Sequence, residues 1–199
     1  MNLPNKITVA RILLIPFMML VPLFNLTQIA FWNVTVENLI ILIIFLVASF
    51  TDFLDGHIAR KNNIVTTFGK FLDPIADKLL VLAAMIMLVE TGIIPGWIPV
   101  IVLAREFLVS GVRMLAAGEG TVIAASWYGK VKTVSQMIAI SLAFIDIHPF
   151  LAFINGGMPV AELVLNILMS VAMIVSVLAT IFSGVDYFMK SKDVVLKTK

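Results

Sequence analysis

The amino-acid sequence predicts an all-α integral membrane protein: a single domain of residues 1–199, formed by six transmembrane helices with both termini in the cytoplasm. Three observations lead to this prediction. Hydrophobic residues make up 61% of the chain and charged residues only 13%. Apolar runs of about 20 residues, the length that crosses a bilayer as a helix, recur along the sequence. The basic residues are confined to alternate connections between these runs.

Six apolar runs define the predicted helices, which cover residues 10–27, 36–57, 74–92, 95–117, 130–148 and 160–188. A chain of this length accommodates about six crossings and leaves nothing over for a separate soluble domain. We expect the first run to be a retained span, because no small-residue cleavage site follows it. The absence of cysteine excludes disulfides, thiolate metal ligands and thiol nucleophiles.

The positive charges orient the predicted helices. All fourteen Lys and Arg residues lie at the two ends of the chain or around the second and fourth connections. The first, third and fifth connections contain none. Because Lys and Arg accumulate in cytoplasmic segments, this pattern predicts a multi-pass protein of the cell membrane with both termini inside. We expect membrane lipids, and no nucleic acid, among its partners.

Four of the twelve acidic residues are clustered between the end of the second predicted helix and the beginning of the third: Asp52, Asp55, Asp73 and Asp77. On a helix, the first two share an arc of about 100° with the small residues Gly56 and Ala59. The second two follow Gly69 at steps of four residues, which also places them on one face. Two such stripes facing each other would gather four carboxylates, a donor set that suits Mg²⁺ or Mn²⁺.

Pro74 complicates the second stripe. A proline disfavours helical geometry at the residue before it, Asp73, and removes one backbone hydrogen bond. Two local structures remain: Asp73 caps a helix that begins at Pro74, or a longer helix is kinked there. Both leave Asp73 and Asp77 near the cytoplasmic interface.

Three other interpretations of the acidic cluster remain open. An interfacial network of ion pairs with Arg60, Lys70 and Lys78 would neutralise the carboxylates, but ion pairing needs no glycine register. A path for a cation or a proton would also place Asp residues in a membrane, but such residues should cross the bilayer and not gather at one face. The chain could also be a helical membrane protein without catalytic activity.

The complete pattern resembles the signature of the CDP-alcohol phosphatidyltransferases, with every signature position filled: Asp52-x-x-Asp55-Gly56-x-x-Ala59-Arg60, then Gly69-x-x-x-Asp73-x-x-x-Asp77. Four further stretches are similar to bacterial members of that family: Asn2-Leu3-Pro4-Asn5-x-x-Thr8-x-x-Arg11, Phe71-Leu72-Asp73-Pro74-x-Ala76-Asp77-Lys78, Arg105-Glu106 followed after six residues by Arg113, and Ala125-Ser126-x-x-Gly129-Lys130-x-Lys132-Thr133. The resemblance covers most of the chain to about residue 137. It implies that a phosphatidyl group passes from CDP-diacylglycerol to an alcohol, with release of CMP.

The resemblance also implies roles for individual residues. Asp52, Asp55, Asp73 and Asp77 would bind two divalent cations, Mg²⁺ or Mn²⁺, and Asp77 would also accept the proton of the attacking hydroxyl. The residues expected to bind CDP-diacylglycerol are Asn5, Thr8, Arg11, Gly56, Ala59, Arg60 and Gly69. For Thr8 and Arg11, a capping threonine and an arginine that snorkels to the interface remain alternatives. The family further implies a homodimer.

Glycerol 3-phosphate is the expected acceptor, and four basic residues are candidates to bind it: Arg105, Arg113, Lys130 and Lys132. Arg105 lies well inside the fourth apolar run, where an unpaired cation is costly. Glu106 is an alternative, structural partner for Arg105, and the two lysines also fit an ordinary cytoplasmic charge pattern. A basic pocket argues against serine as the acceptor and leaves inositol phosphate or phosphatidylglycerol as competitors. The last two apolar runs show no functional pattern.

Overall fold

The structure is a computed structural model that describes the backbone of residues 3–31, 34–61, 67–118 and 127–196. Side chains are described within these ranges except at residues 3–6, 31, 52–61, 67–71, 117–118, 190 and 192–196. The described residues form six α-helices, two short 3₁₀ turns and one two-stranded antiparallel ribbon. The prediction of an all-α fold is therefore confirmed.

The helices are α1 (Leu3–Leu20), α2 (Val36–Lys61), α3 (Thr67–Glu90), α4 (Trp97–Gly118), α5 (Trp127–Ile145) and α6 (Val160–Leu196). The 3₁₀ turns cover Val21–Phe24 and Ala152–Asn155, and the ribbon pairs β1 (Ile29–Phe31) with β2 (Val34–Thr35). Each predicted run overlaps one helix. Several helices extend into polar sequence, because backbone hydrogen bonding continues where hydropathy falls. In contrast, α1 ends earlier than predicted, where Pro22 follows within the next turn.

Pro74 lies in the interior of α3, which begins more than one turn earlier at Thr67. The prediction that Asp73 caps a helix starting at Pro74 is therefore wrong. The cost of Pro74 is one missing backbone hydrogen bond. A helix in apolar surroundings tolerates this loss, because abandoning the helix would leave many more backbone groups without partners.

The chain divides into two compact units. Unit 1 comprises Met1–Ile93 with Ala143–His148, and unit 2 comprises Ile94–Leu142 with Pro149–Lys199. The candidate carboxylates belong to unit 1 and the candidate acceptor-binding residues to unit 2. The single domain expected from the sequence stays a prediction.

In unit 1, α1 packs against both α2 and α3. A hydrogen bond between Thr8 and Asp73 places the beginnings of α1 and α3 at the same end of the unit. The last turns of α2 must lie near that end as well, because residues 62–66 alone connect α2 to α3 and can span at most about 18 Å. The packing of three helices therefore gathers the segment of the four aspartates at one end.

In unit 2, α4 packs along α6. Arg105 contacts Ser183 and Arg113 contacts Tyr187, and since both pairs occur in the same order, the two helices run parallel. The other end of the unit is fixed by Asn166, whose side-chain amide donates to the carbonyl of Pro149 at 3.0 Å and whose oxygen accepts from the backbone N–H of Phe153 at 2.9 Å.

The two faces of α6 reverse the arrangement of a water-soluble helix. Its polar side chains are buried, among them Asn166, Ser170, Thr180 and Ser183. Large apolar side chains on the opposite face are exposed, including Val160, Leu168, Phe182 and Met189. Small and polar residues facing neighbouring helices, with apolar residues outward, are typical of a membrane environment.

By length and composition, two apolar stretches in the described part of the chain could cross a membrane: Ile7–Phe24, with 18 residues, and Val160–Met189, with 30 residues. The arrangement of α6 and these two stretches indicate a membrane protein. The complete six-span bundle and its orientation stay predictions.

Candidate active site

Asp73 is held by a side chain from another helix. The hydroxyl of Thr8 on α1 donates a hydrogen bond of 2.8 Å to Oδ1 of Asp73 on α3. Thr8 is buried and Asp73 is half-buried. A hydroxyl donor fixes the carboxylate without cancelling its negative charge, so Asp73 keeps the capacity to bind a cation.

Asp73 and Asp77 lie one turn apart on α3, as their spacing predicts, and Asp77 is exposed. The backbone places the other two aspartates at similar depth. With a rise of 1.5 Å per residue, Asp55 and Asp73 each lie about 9 Å from the helix ends that residues 62–66 connect. Asp52 and Asp77 each lie about 14–15 Å from those ends. The α2–α3 pair thus presents two levels with two aspartate positions each.

Several predicted site residues lie on helices whose side chains at those positions fall outside the described residues: Asn5 on α1, Asp52, Asp55, Gly56, Ala59 and Arg60 on α2, and Gly69 on α3. Among the side chains that are described, no three of His, Cys, Asp or Glu are grouped to hold a metal ion. Of the four proposed metal ligands, that search includes only Asp73 and Asp77, so it does not test the predicted set.

The structure decides between the alternatives for Thr8 and Arg11. Thr8 lies inside α1 and bonds to α3, so it does not cap a helix. Arg11 lies one turn further along and is only 1% exposed, so it does not snorkel to water. Both residues face the interior of unit 1, and both remain candidates for the site at that end.

In unit 2, Glu106 connects two of the predicted acceptor-binding residues. Its Oε1 atom accepts hydrogen bonds from Arg105 at 2.9 Å and from Lys132 at 2.8 Å. The alternative that Glu106 is the structural partner of Arg105 is confirmed. Because α4 carries Glu106 and α5 carries Lys132, the shared oxygen also joins these two helices.

Arg105 is enclosed by α5 and α6. Its second terminal nitrogen donates to the hydroxyl of Ser183. A Cβ added at Gly129 or Gly184 would lie 3.5 or 3.4 Å from the arginine side chain, so both backbones approach it closely. The Nε of Arg105 is buried and has no hydrogen-bond partner among the described residues. The guanidinium is therefore held in one orientation.

Arg113 donates a hydrogen bond to the hydroxyl of Tyr187 on α6. The centre of its guanidinium lies 5.1 Å from the centroid of the tyrosine ring, and that of Arg105 lies 5.9 Å from the same centroid. Tyr187 is buried, whereas Arg113 is exposed. The structure thus brings Arg105, Arg113 and Lys132 into one connected cluster.

The fourth predicted basic residue, Lys130, is exposed on α5. Two members of the cluster, Ser183 and Tyr187, were absent from the sequence prediction, which found no functional pattern in the last apolar runs. A signal for them exists in the sequence. Asn166, Ser170, Ser176, Thr180, Ser183, Tyr187 and Ser191 recur at helical spacings along α6, and all are buried. A polar stripe at helical spacing inside an apolar run marks the face that packs against other helices.

Comparison with known proteins adds independent information. A family model described as CDP-alcohol phosphatidyltransferase matches residues 1–182. Thr8, Asp73, Arg105, Glu106, Arg113 and Lys132 lie inside this range, whereas Ser183 and Tyr187 lie just beyond it.

Curated relatives match over nearly their full length. A protein of Bacillus subtilis (strain 168) named CDP-diacylglycerol--glycerol-3-phosphate 3-phosphatidyltransferase is 44% identical, covering 99% of this chain and 98% of its own. Proteins of the same name from Rickettsia felis and Haemophilus influenzae are 38% and 35% identical. The Rickettsia match covers 96% of both chains, and the Haemophilus match covers 98% of this chain and 96% of its own.

Proposed function

Because the chain belongs to the CDP-alcohol phosphatidyltransferase family, we propose that it transfers the phosphatidyl group of CDP-diacylglycerol to sn-glycerol 3-phosphate. The products are phosphatidylglycerophosphate and CMP, in the biosynthesis of phosphatidylglycerol. The acceptor is supported by the names of relatives that are 35–44% identical over nearly the whole chain. The structural observation that carries the proposal is the bond from Thr8 to Asp73, which orients a signature carboxylate without neutralising it.

The membrane setting follows from the family and from the reversed faces of α6. We propose six membrane crossings, with the aspartates facing the cytoplasm in the cell membrane. In that arrangement the diacylglycerol tails stay among membrane lipids, while glycerol 3-phosphate and CMP exchange with the cytosol. We further propose a homodimer, as the family resemblance implies.

The donor chemistry of the aspartates fits two divalent cations, Mg²⁺ or Mn²⁺. Asp52, Asp55, Asp73 and Asp77 supply only carboxylate oxygens, the ligands these ions prefer. Two of these side chains are described, and both fit the role of a ligand. Asp73 accepts a hydrogen bond from a neutral hydroxyl, and Asp77 is exposed. When bound, such ions neutralise the pyrophosphate of the donor substrate and stabilise the departing CMP.

Asp77 is proposed to accept the proton of the acceptor hydroxyl. It is exposed near one end of α3, where a soluble substrate can reach it. A carboxylate that takes this proton makes the hydroxyl oxygen a stronger nucleophile towards the phosphorus atom. Asp73 is fixed by Thr8 and is proposed to act as a ligand only.

The site for the nucleotide part of CDP-diacylglycerol is proposed to include Asn5, Thr8, Arg11, Gly56, Ala59, Arg60 and Gly69. The small residues of this set would let the nucleotide approach the helix backbone, and Arg60 would pair with a phosphate. Since Thr8 is buried and bonded to Asp73, its contribution is to hold that carboxylate.

The phosphate of the acceptor is proposed to bind Arg105, Arg113, Lys130 and Lys132. Within the cluster, the three cations Arg105, Arg113 and Lys132 outweigh the single negative charge of Glu106, which leaves a formal charge of +2. This matches the charge of a phosphate monoester above its second pKa of about 6. Serine carries no such group, so the cluster favours a phosphorylated acceptor.

The test is an assay of the purified full chain in detergent with CDP-diacylglycerol, Mg²⁺ and labelled glycerol 3-phosphate. We expect release of CMP and incorporation of the label into a lipid that carries two phosphates. Parallel reactions with serine, inositol phosphate and phosphatidylglycerol measure acceptor choice. Faster turnover with one of these three compounds would make that compound the acceptor in place of glycerol 3-phosphate. If no CMP is released with any of the four acceptors, the proposed enzymatic function is overturned.

A further inference from the structure

Tyr187 is buried, with 1% of its surface exposed, yet it contacts two cationic side chains. Its hydroxyl accepts a hydrogen bond from Arg113, and its ring lies within about 6 Å of both Arg105 and Arg113. Arg105 and Arg113 are separated by about two turns of α4, roughly 12 Å along its axis. Tyr187 contacts both arginines.

Arg113 differs from Arg105 in its exposure. Arg105 is enclosed and bonded to Glu106 and Ser183, whereas Arg113 is exposed and bonded to Tyr187. An exposed arginine ordinarily samples many rotamers, and ordering it on binding a ligand costs free energy. The bond to Tyr187 uses one of five N–H donors and restricts the guanidinium before any ligand arrives.

We propose that Tyr187 is a positioning residue for the acceptor phosphate: through its hydroxyl and its ring, which Arg105 also contacts, it holds the guanidinium of Arg113 in a fixed geometry for a dianionic phosphate monoester. This rests on the proposed function, since it concerns how the same cluster selects glycerol 3-phosphate. Tyr187 acts through Arg113 and does not touch the substrate.

The chemistry favours positioning over a purely structural cross-link between α4 and α6. A planar guanidinium recognises phosphate through paired N–H donors, and this recognition depends on the orientation of the plane. A cross-link alone would be served equally well by apolar packing, which a buried aromatic ring already supplies. The hydroxyl adds the orientation of Arg113.

The primary test replaces Tyr187 by phenylalanine, which keeps the buried ring and removes only the hydroxyl. We expect Tyr187→Phe to raise the KM for glycerol 3-phosphate about tenfold, because one hydrogen bond to a charged group is lost. The KM for CDP-diacylglycerol and the kcat at saturating acceptor should stay within about twofold. An unchanged acceptor KM, or an equal rise in both KM values, would overturn the proposal.

The chain offers a matched control, because it has only one other tyrosine, Tyr128. Tyr128 is exposed on α5, and its ring lies 6.4 Å from that of Phe182. Tyr128→Phe makes the same chemical change on an exposed side chain of the same unit. We expect it to leave both KM values unchanged, and a rise equal to that of Tyr187→Phe would argue against a specific role for Tyr187.

A double-mutant cycle tests whether Tyr187 acts through Arg113. If it does, removing the hydroxyl should have no further effect once Arg113 is gone, so the acceptor KM of the double variant should equal that of Arg113→Ala within about twofold. Additive losses would show that Tyr187 acts by another route and would overturn the proposal.

Binding measured without turnover separates this inference from the proposed function. Isothermal titration of glycerol 3-phosphate into the detergent-solubilised full chain should give a Kd about tenfold higher for Tyr187→Phe than for the wild type. If the wild type released no CMP, the proposed function would fail while this comparison still decided on Tyr187. Equal Kd values, or no binding to the wild type, would overturn the inference.

Discussion

The two units give their carboxylates different partners. In unit 1, Asp73 accepts a hydrogen bond from the uncharged hydroxyl of Thr8. In unit 2, Glu106 accepts hydrogen bonds from two cations, Arg105 and Lys132. With Arg113, the cluster of unit 2 holds three cations against this one carboxylate, a positive excess that suits the proposed binding of a phosphate.

Solvation explains the difference. An uncompensated buried charge costs several kcal/mol, so Arg105 and Lys132, whose side chains are only 11% and 10% exposed, need a carboxylate beside them. Asp77 is exposed, and Asp73 is half-buried with a hydroxyl donor, so water lowers the cost of both charges.

The largest expected effect comes from Asp77 in unit 1. Asp77→Asn should lower kcat roughly 10³-fold, because an amide neither accepts the proton nor binds a cation well. The rate of CMP release is the measurement, with circular dichroism as the check that the helices persist. Glu90→Gln, the same change at the exposed far end of α3, is the control. Near-normal turnover of Asp77→Asn would remove Asp77 from both proposed roles.

A smaller effect is expected at Arg113, in the basic cluster of unit 2. Arg113→Ala should raise the KM for glycerol 3-phosphate roughly 30-fold, since a charge-assisted hydrogen bond to phosphate is lost. Initial rates at varied acceptor and saturating CDP-diacylglycerol give this KM. Arg113→Lys should recover only part of the loss, because lysine lacks the planar fork. If Arg113→Ala keeps the wild-type acceptor KM, the cluster of unit 2 is not the acceptor site.

The hydrogen bond from Thr8 to Asp73 can be removed by Thr8→Val, which preserves the shape of the buried side chain. We expect kcat to fall about tenfold, because Asp73 loses the donor that orients it. Thr8→Ser restores the hydroxyl and should restore most of the activity. Equal activity of the valine and serine variants would mean that the hydrogen bond contributes nothing to catalysis.

The smallest effect is expected at Lys130, which is exposed, whereas Lys132 is buried and bonded to Glu106. Lys130→Ala should change the acceptor KM by about twofold, since exposed charges contribute little in water. Lys132→Ala should raise it more, because Glu106 then loses the hydrogen bond from Lys132. The paired KM measurements rank the two lysines, and a larger loss at Lys130 would reverse our assignment of the cluster.

The sequence was sufficient to predict the all-α class, while the metal site that it indicates stays a prediction. Helices α2 to α6 follow from apolar runs, because backbone hydrogen bonds in a membrane must be satisfied within each segment. The spacing of Asp73 and Asp77 predicted their common face, which is a local property of any helix. The sequence left two alternatives at Pro74, because a proline disfavours helical geometry at the residue before it. In the structure α3 continues through Pro74.

Contacts between helices required the tertiary structure. The Arg105–Glu106 contact was an open alternative because neighbouring residues on a helix point in different directions, and only the shared bond with Lys132 shows how Glu106 is used. The roles of Ser183 and Tyr187 depend on the parallel packing of α6 against α4. Their polar stripe was visible in the sequence, but the partner it faces was not.

By itself, the sequence determined the α-helical class, the apolar surface, the aspartate spacing and the family, because each depends on residues close together in the chain or on a fixed motif. The tertiary structure alone decided that Thr8 holds Asp73, 65 positions away, and that Tyr187 holds Arg113, 74 positions away. Local rules of helix geometry fix which face a residue occupies. The partner on that face is set by how helices pack, which no local pattern encodes.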